Sequence, residues 1–146
     1  MKRNFEILSI NISREKGVHK KPVESAILKE AYGLAGDGHA GPWHRQVSLL
    51  AAEDVEAVAS GYRGLDFEYH TENITTRGVD LSSLPVGTRL HLGDVVLEIT
   101  QIGKEDQHDY TINDHPREYV NIRKGVFAKV VAGGEISRDS SCWYEL

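Results

Sequence analysis

The stretch Gly36-Asp37-Gly38-His39-Ala40-Gly41-Pro42-Trp43-His44-Arg45-Gln46-Val47-Ser48-Leu49-Leu50 gathers residue types suited to binding an anion. Glycines at 36, 38 and 41 let backbone N–H groups approach a ligand closely and permit turns with positive φ. Arg45 adds a rigid, planar, permanently charged fork that matches phosphate or another oxyanion, with His39 beside it. A turn capped by His, with a surface Arg, has the same composition. A second polar cluster, Glu72-Asn73-Ile74-Thr75-Thr76, offers donors and acceptors that can line a pocket and orient a ring. The same side chains can equally cap the end of a strand. Lys104 follows an apolar run and can add charge to a phosphate site.

A different chemistry is suggested by His44, His108 and His115 with Asp106 and Asp109. Imidazole and carboxylate ligands hold zinc or another divalent ion, although these spacings match no established metal motif. His19, His70 and His91 have no assigned role and read as surface or core-edge residues. Cys142 is the only thiol, which excludes an internal disulfide and a Cys-rich zinc site. It reads as a partly buried residue near the C-terminus, with a carrier thiol as the alternative.

The elements that must position these residues are mostly short strands. Phe5 to Ile12 is a strand whose alternation breaks around Leu8 and Ile10, as at a bulge or where both faces are covered. Residues 13–22 form a polar loop whose Lys16, Lys20 and Lys21 read as a solvated face. Strands are expected at 23–28, 46–50, 73–76, 89–92, 95–102 and 126–131. Gly93-Asp94 between two of them is the clearest hairpin. Residues 51–60 are predicted to be a helix, with acids in the first turn and Gly61 past the end. Residues 106–119 are polar and without period, and read as a long functional loop.

Short strands at this spacing, mostly without crossover helices, predict a mainly β fold: a closed or nearly closed β-barrel of about seven or eight strands with one or two short helices. The 146 residues fit one domain, 1–146. A net charge of −5 argues against a nucleic-acid partner. No apolar run approaches bilayer length and no signal-peptide pattern is present, so a cytoplasmic protein without membrane contact is expected.

Several of these segments together resemble the MOSC family, the C-terminal domain of the molybdenum-cofactor sulfurase and its free-standing relatives. The resemblance runs through Gly36–Gly41, Arg45–Leu50 and Glu53, then Glu72–Leu81, Leu84–Asp94, Leu97–Gln101, Gly125–Val131 and Gly133–Ile136. The chain looks most like the small stand-alone members. The resemblance implies a β-barrel that handles the molybdenum cofactor, a phosphorylated pterin dithiolene carrying molybdenum. It implies possible sulfur transfer too, with a cysteine desulfurase or molybdoenzyme as partner and pyridoxal phosphate only as a family association. Relatives with that activity place a Cys shortly after the Thr-Gln strand, where this chain has Gly103-Lys104-Glu105-Asp106-Gln107-His108-Asp109. Asp106 stands at the approximate position of that Cys, and a carboxylate cannot carry sulfur as a persulfide.

The expected function is therefore binding of the molybdenum cofactor, or of a related anionic ligand, in a cleft formed by segments 36–46, 72–76 and 101–108. His39 and Arg45 would hold the anion, assisted by Lys104, and Glu72, Asn73, Thr75 and Thr76 would line the ring. The rivals are a non-catalytic interaction module with a degenerate cleft, and a metal-dependent hydrolase built on His44, His108 and His115.

Overall fold

In the computed structural model, which describes residues 1–16, 19–104 and 111–146, one long strand sets the frame. Strand β1 (Lys2–Ile12) buries Phe5 and Ile7 on one phase of the pleat and Ile10 on the other. Its register against β6 (Ile74–Arg77) shifts between Ile7 and Ser9, so the broken alternation is a bulge. The first three residues of β1 outrun the apolar pattern because Lys2 to Phe5 pair with β11 (Cys142–Glu145), and that pairing closes the sheet on itself.

The closed circuit runs β11, β7 (Arg89–Leu92), β8 (Val95–Ile102), β9 (Val126–Ala132), β5 (Val47–Ala51), β6, β1 and back to β11. These strands form a seven-strand barrel, with β2 (Lys21–Val23) added outside β1. Neighbours are antiparallel except β5 and β6, which are parallel and joined through helix α1 (Ala52–Ala59). β7 and β8 form the hairpin around Gly93-Asp94, with Gly93 in the left-handed region at φ 61°.

The expected strand over 23–28 divides at Glu24. β2 stays on the barrel, while β3 (Ser25–Lys29) joins β4 (Gly33–Leu34) and β10 (Gly134–Ser137) in a separate three-stranded sheet. Ile27 accordingly faces outward, 53% exposed, while Ala26 and Leu28 are buried. A second helix, α2 (Pro116–Lys124), begins inside the expected 106–119 loop.

Two cores result. Leu49, Ile74, Leu90, Leu97, Ile99 and Val126 lie among those filling the barrel. Leu50, Val55, Phe67 and Val120 pack between the barrel wall and the two helices. That second core fixes α2 in place, and α2 forms one wall of the site.

Candidate functional site

The site begins at Asp37, in the middle of the glycine-rich turn. Its Oδ1 accepts from the Ser13 amide (3.2 Å) and from Lys20 Nζ (2.7 Å), and its Oδ2 accepts from the His39 amide (3.1 Å). Gly36 holds φ 84°, and a Cβ on Gly38 would stand 2.8 Å from the Glu15 backbone, so the turn presses against the chain ahead of β2. The glycines therefore serve close packing and backbone turning around a buried carboxylate.

Lys20 is only 4% exposed, held by its main-chain bridge to His70 and by Asp37. The expectation of a solvated lysine face holds for Lys16 and Lys21, which are exposed, and is corrected at Lys20, which is buried; Lys16 and Lys20 both border a cavity. Lys20 Nζ also donates to Ser13 Oγ (3.2 Å) and lies 3.4 Å from His39 Nδ1. An ammonium can only donate, so Nδ1 is the accepting nitrogen and the proton of neutral His39 resides on Nε2. Burial and the Lys20 charge lower the His39 pKa, against a smaller upward pull from Asp37.

Arg45 follows Trp43 in the same segment, and Trp43 Nε1 donates to the His39 carbonyl at 2.8 Å. The Arg45 guanidinium carbon lies 4.9 Å from the Trp43 ring centroid and 5.5 Å from that of Phe127 on β9. Its Nε is buried and has no hydrogen-bond partner among the described residues. The rings thus fix a charged fork without consuming its donors.

These groups border a cavity of about 450 Å³, of the size that small-molecule and cofactor sites take. Lys16, Lys20, His39, Trp43 and Arg45 form one side, with Lys104 and Phe127. His19, Thr71, His115 just ahead of α2, and Glu118 and Asn121 on α2 form the rest, with Ser48. His39, Arg45 and Lys104 are thereby brought together as expected.

Glu72, Asn73, Thr75 and Thr76 lie behind this wall, and only the neighbouring Thr71 reaches it. Glu72 is fully buried and takes Arg117 in a two-pronged ion pair (Nε 3.0 Å, Nη2 2.6 Å). It also accepts the Thr75 hydroxyl at 2.5 Å. Burial alone would raise its pKa. His70, whose Nδ1 is 3.7 Å away, the Arg117 bonds and charge, and Thr75 together hold it well below the usual carboxylate range. Asn73 Oδ1 accepts from the Ser48 amide at 3.0 Å, and its Nδ2 donates to the Asn11 carbonyl at 3.2 Å. The Thr76 hydroxyl is buried and unpartnered among the described residues. This cluster joins β1, β5, β6 and α2, and the polar side chains of Glu72, Asn73 and Thr75 bond within the protein, as capping side chains do.

His44 is exposed, with Nε2 2.8 Å from Gln101 Oε1, and it does not border the cavity. Among the described residues no group of His, Cys, Asp and Glu side chains is placed to hold a metal ion, so His44 and His115 are not assembled into one. Asp106, Asp109 and His108 lie outside the described residues.

Cys142 sits on β11 inside the barrel core, 3% exposed, with Sγ 3.3 Å from the Ser140 carbonyl. Burial pushes its thiol up to about 11. It is protonated at neutral pH and away from the cavity, which is the opposite of a reactive carrier thiol.

Sequence reasoning missed α2 and with it Glu118 and Asn121. Pro116 at the first helical position, Glu118 in the first turn, Arg123 and Lys124 in the last and Gly125 beyond it are the start and stop signs of a helix. They were masked by an almost wholly polar sequence. Trp43, Phe127 and Lys20 were missed because only tertiary structure gathers them.

The MOSC domain profile matches residues 36–141. The fold is similar to the YUAD protein of Bacillus subtilis, with TM-score 0.71, 16% identity, and coverage of 99% of this chain and 97% of that one. It is also similar to YiiM from Escherichia coli, with TM-score 0.64, 18% identity, and coverage of 100% and 70%. For YiiM from Geobacillus stearothermophilus the values are 0.71, 16%, 97% and 75%. No curated protein matches the chain in sequence. No helix among the described residues is long and apolar enough to cross a membrane.

Proposed function

The chain belongs to the MOSC domain family, and from that premise we propose that its cavity binds a phosphorylated cofactor of the molybdenum-cofactor type through the anionic end of that ligand. The observation that carries the reading is Arg45. A guanidinium held against two aromatic rings at the border of the cavity, with no hydrogen bond to the described protein, is a charged donor group suited to an acceptor from outside. Lys16, Lys20 and Lys104 surround it with positive charge, although the chain as a whole is acidic.

The residues fit part of that cofactor. Phosphate oxygens match Arg45, and neutral His39 offers an Nε2–H donor whose tautomer Lys20 imposes. No thiolate borders the cavity among the described residues, so the fit is to the phosphate and ring and not to a protein–molybdenum bond. When bound, the cofactor would supply the molybdenum and its own dithiolene sulfurs. Sulfur carriage by Cys142 is not part of the proposal, because that thiol is buried and protonated.

The test is titration of the purified chain with a phosphorylated pterin, read by pterin fluorescence. Saturable binding is expected, weakened about ten- to a hundredfold in Arg45→Ala, the range for loss of a charge-assisted bond pair. Absence of binding, or binding indifferent to that substitution, would overturn the proposal.

A further inference from the structure

The geometry points to a second ligand compartment on the far side of Arg45, so that the anion bound there is the bridge of a larger molecule and not its end. The occupant is a diphosphate diester with an organic group on each side, one in the cavity of His39 and Trp43 and one in an apolar cleft outside it. The inference rests on the reading of Arg45 as an anion-binding residue and concerns what lies beyond the anion.

Arg45 and Lys104 border two spaces at once. One is the cavity they share with His39, Trp43 and Phe127. The other is a cleft of about 500 Å³, completed by Gln101, Ile102 and Gly103 at and just beyond the end of β8 and by Ile122 on α2. Its walls are tied together by the main chain: the Gly103 amide donates to the Gly125 carbonyl at 2.7 Å, and the Lys104 amide to that of Ile122 at 2.8 Å. Gly103 holds φ 68°, and a Cβ there would stand 3.0 Å from the Ile122 carbonyl oxygen, so a side chain would push the two walls apart. Gln101 is engaged within the wall, with Oε1 2.8 Å from His44 Nε2 and its side-chain amide donating to the Gly103 carbonyl at 2.8 Å.

Charge and apolar surface are thus divided. The two cations stand where the spaces meet, and the other side chains of the cleft are the engaged amide of Gln101 and two isoleucines, of which Ile102 is 37% exposed. An anion that ended the ligand at Arg45 would leave those isoleucines in water, whereas a second organic group attached to it would cover them. The Arg45 guanidinium has five donors in one plane and no hydrogen bond to the described protein, so it can serve oxygens of two neighbouring phosphoryl groups. A diphosphate esterified at both ends carries its charge in the middle, where Arg45 and Lys104 stand, and keeps an uncharged group for each space. A free terminal phosphate would instead turn charge towards the isoleucines.

Titration calorimetry with two probes of equal charge decides the matter: diphenyl diphosphate, and methyl phenyl diphosphate, in which a methyl group replaces one ring. The native chain should bind the first at least about tenfold more tightly, the gain from covering apolar side chains with one more ring. Ile102→Ser and Ile122→Ser, one on each wall of the cleft, should each bring the ratio towards one by weakening the two-ring probe. A preference that survives both substitutions would overturn the inference. Weaker binding of the two-ring probe by the native chain would do the same, since the anion site would then be closed on that side. Inorganic diphosphate bound through Arg45, with equal binding of the two probes, would remove the outer compartment and leave the anion reading standing. Failure of inorganic diphosphate and both probes together would remove both.

Discussion

α2 and the segment ahead of β5 border the same cavity, and each brings an arginine whose surroundings differ. Arg117 spends Nε and Nη2 on Glu72 and Nη1 on the Phe67 carbonyl (2.5 Å), within a network that also takes in Thr75 and His70. Arg45 is gripped by ring faces at 4.9 and 5.5 Å and keeps a buried N–H with no acceptor among the described residues. In the first case the polar groups answer one another, and the result is a joint between helix and barrel. In the second, positioning and hydrogen bonding are separated, so the charge is held ready without being used. Burial and charge alone do not tell a binding arginine from a structural one; the state of its donors does.

The joint should fail hard. Arg117→Met would strand the fully buried Glu72, and breaking one side of a buried pair costs about 3–5 kcal/mol. Urea denaturation should show that loss, and a loss below about 1 kcal/mol would mean that the network is not what docks α2. Acid should act next on the same place. The folded carboxyl of Glu72 holds its proton less readily than the unfolded one, so the unfolded chain gains protons first as pH falls. The stability contributed by Glu72 is thus complete above its ordinary pKa of about 4.5 and is lost progressively below it. Glu72→Gln should flatten that part of the stability–pH curve; an unchanged slope would remove Glu72 as its source.

How much of this could be read from the chain follows the same division. Where local pattern and tertiary role agree, the reading holds: the 93–94 hairpin, the 51–60 helix and the β1 bulge are each written in a few adjacent residues. The closure of the barrel by β1 and β11 is a pairing of the two chain ends, and no local period encodes it. α2 is hidden because, apart from Pro116 at its first position, Val120 is its only buried apolar residue, which leaves no apolar stripe to find. At the site, Arg45 and His39 were legible because they stand beside glycines. Glu72, Asn73 and Thr75 carry the same residue chemistry yet point into the protein, and only their partners Arg117, Ser48 and Asn11, distant in sequence, reveal that.

The open arginine should behave in the opposite way to the closed one. Arg45→Ala removes ring contacts but breaks no hydrogen bond within the described protein, so its stability loss should stay below about 1 kcal/mol. Adding phosphate should raise the melting temperature of the native chain and leave that of Arg45→Ala nearly unchanged. A large intrinsic destabilisation would place Arg45 with Arg117 as a structural residue and remove the contrast.

The smallest effect is read at His39, which touches both worlds through Lys20 and Asp37. Burial and then Lys20 lower its pKa, with weaker contributions in the same direction from Lys104 and Lys16. Lys16→Gln should therefore raise the His39 midpoint slightly, as followed by its ring proton in an NMR titration. Bound phosphate should raise it further, because a neighbouring anion favours the imidazolium. The same spectra should show the Nε2–H tautomer that an ammonium beside Nδ1 imposes. A midpoint that falls on phosphate addition would mean that the anion binds elsewhere, and that the positive side of the cavity is structural like the ion pair behind it.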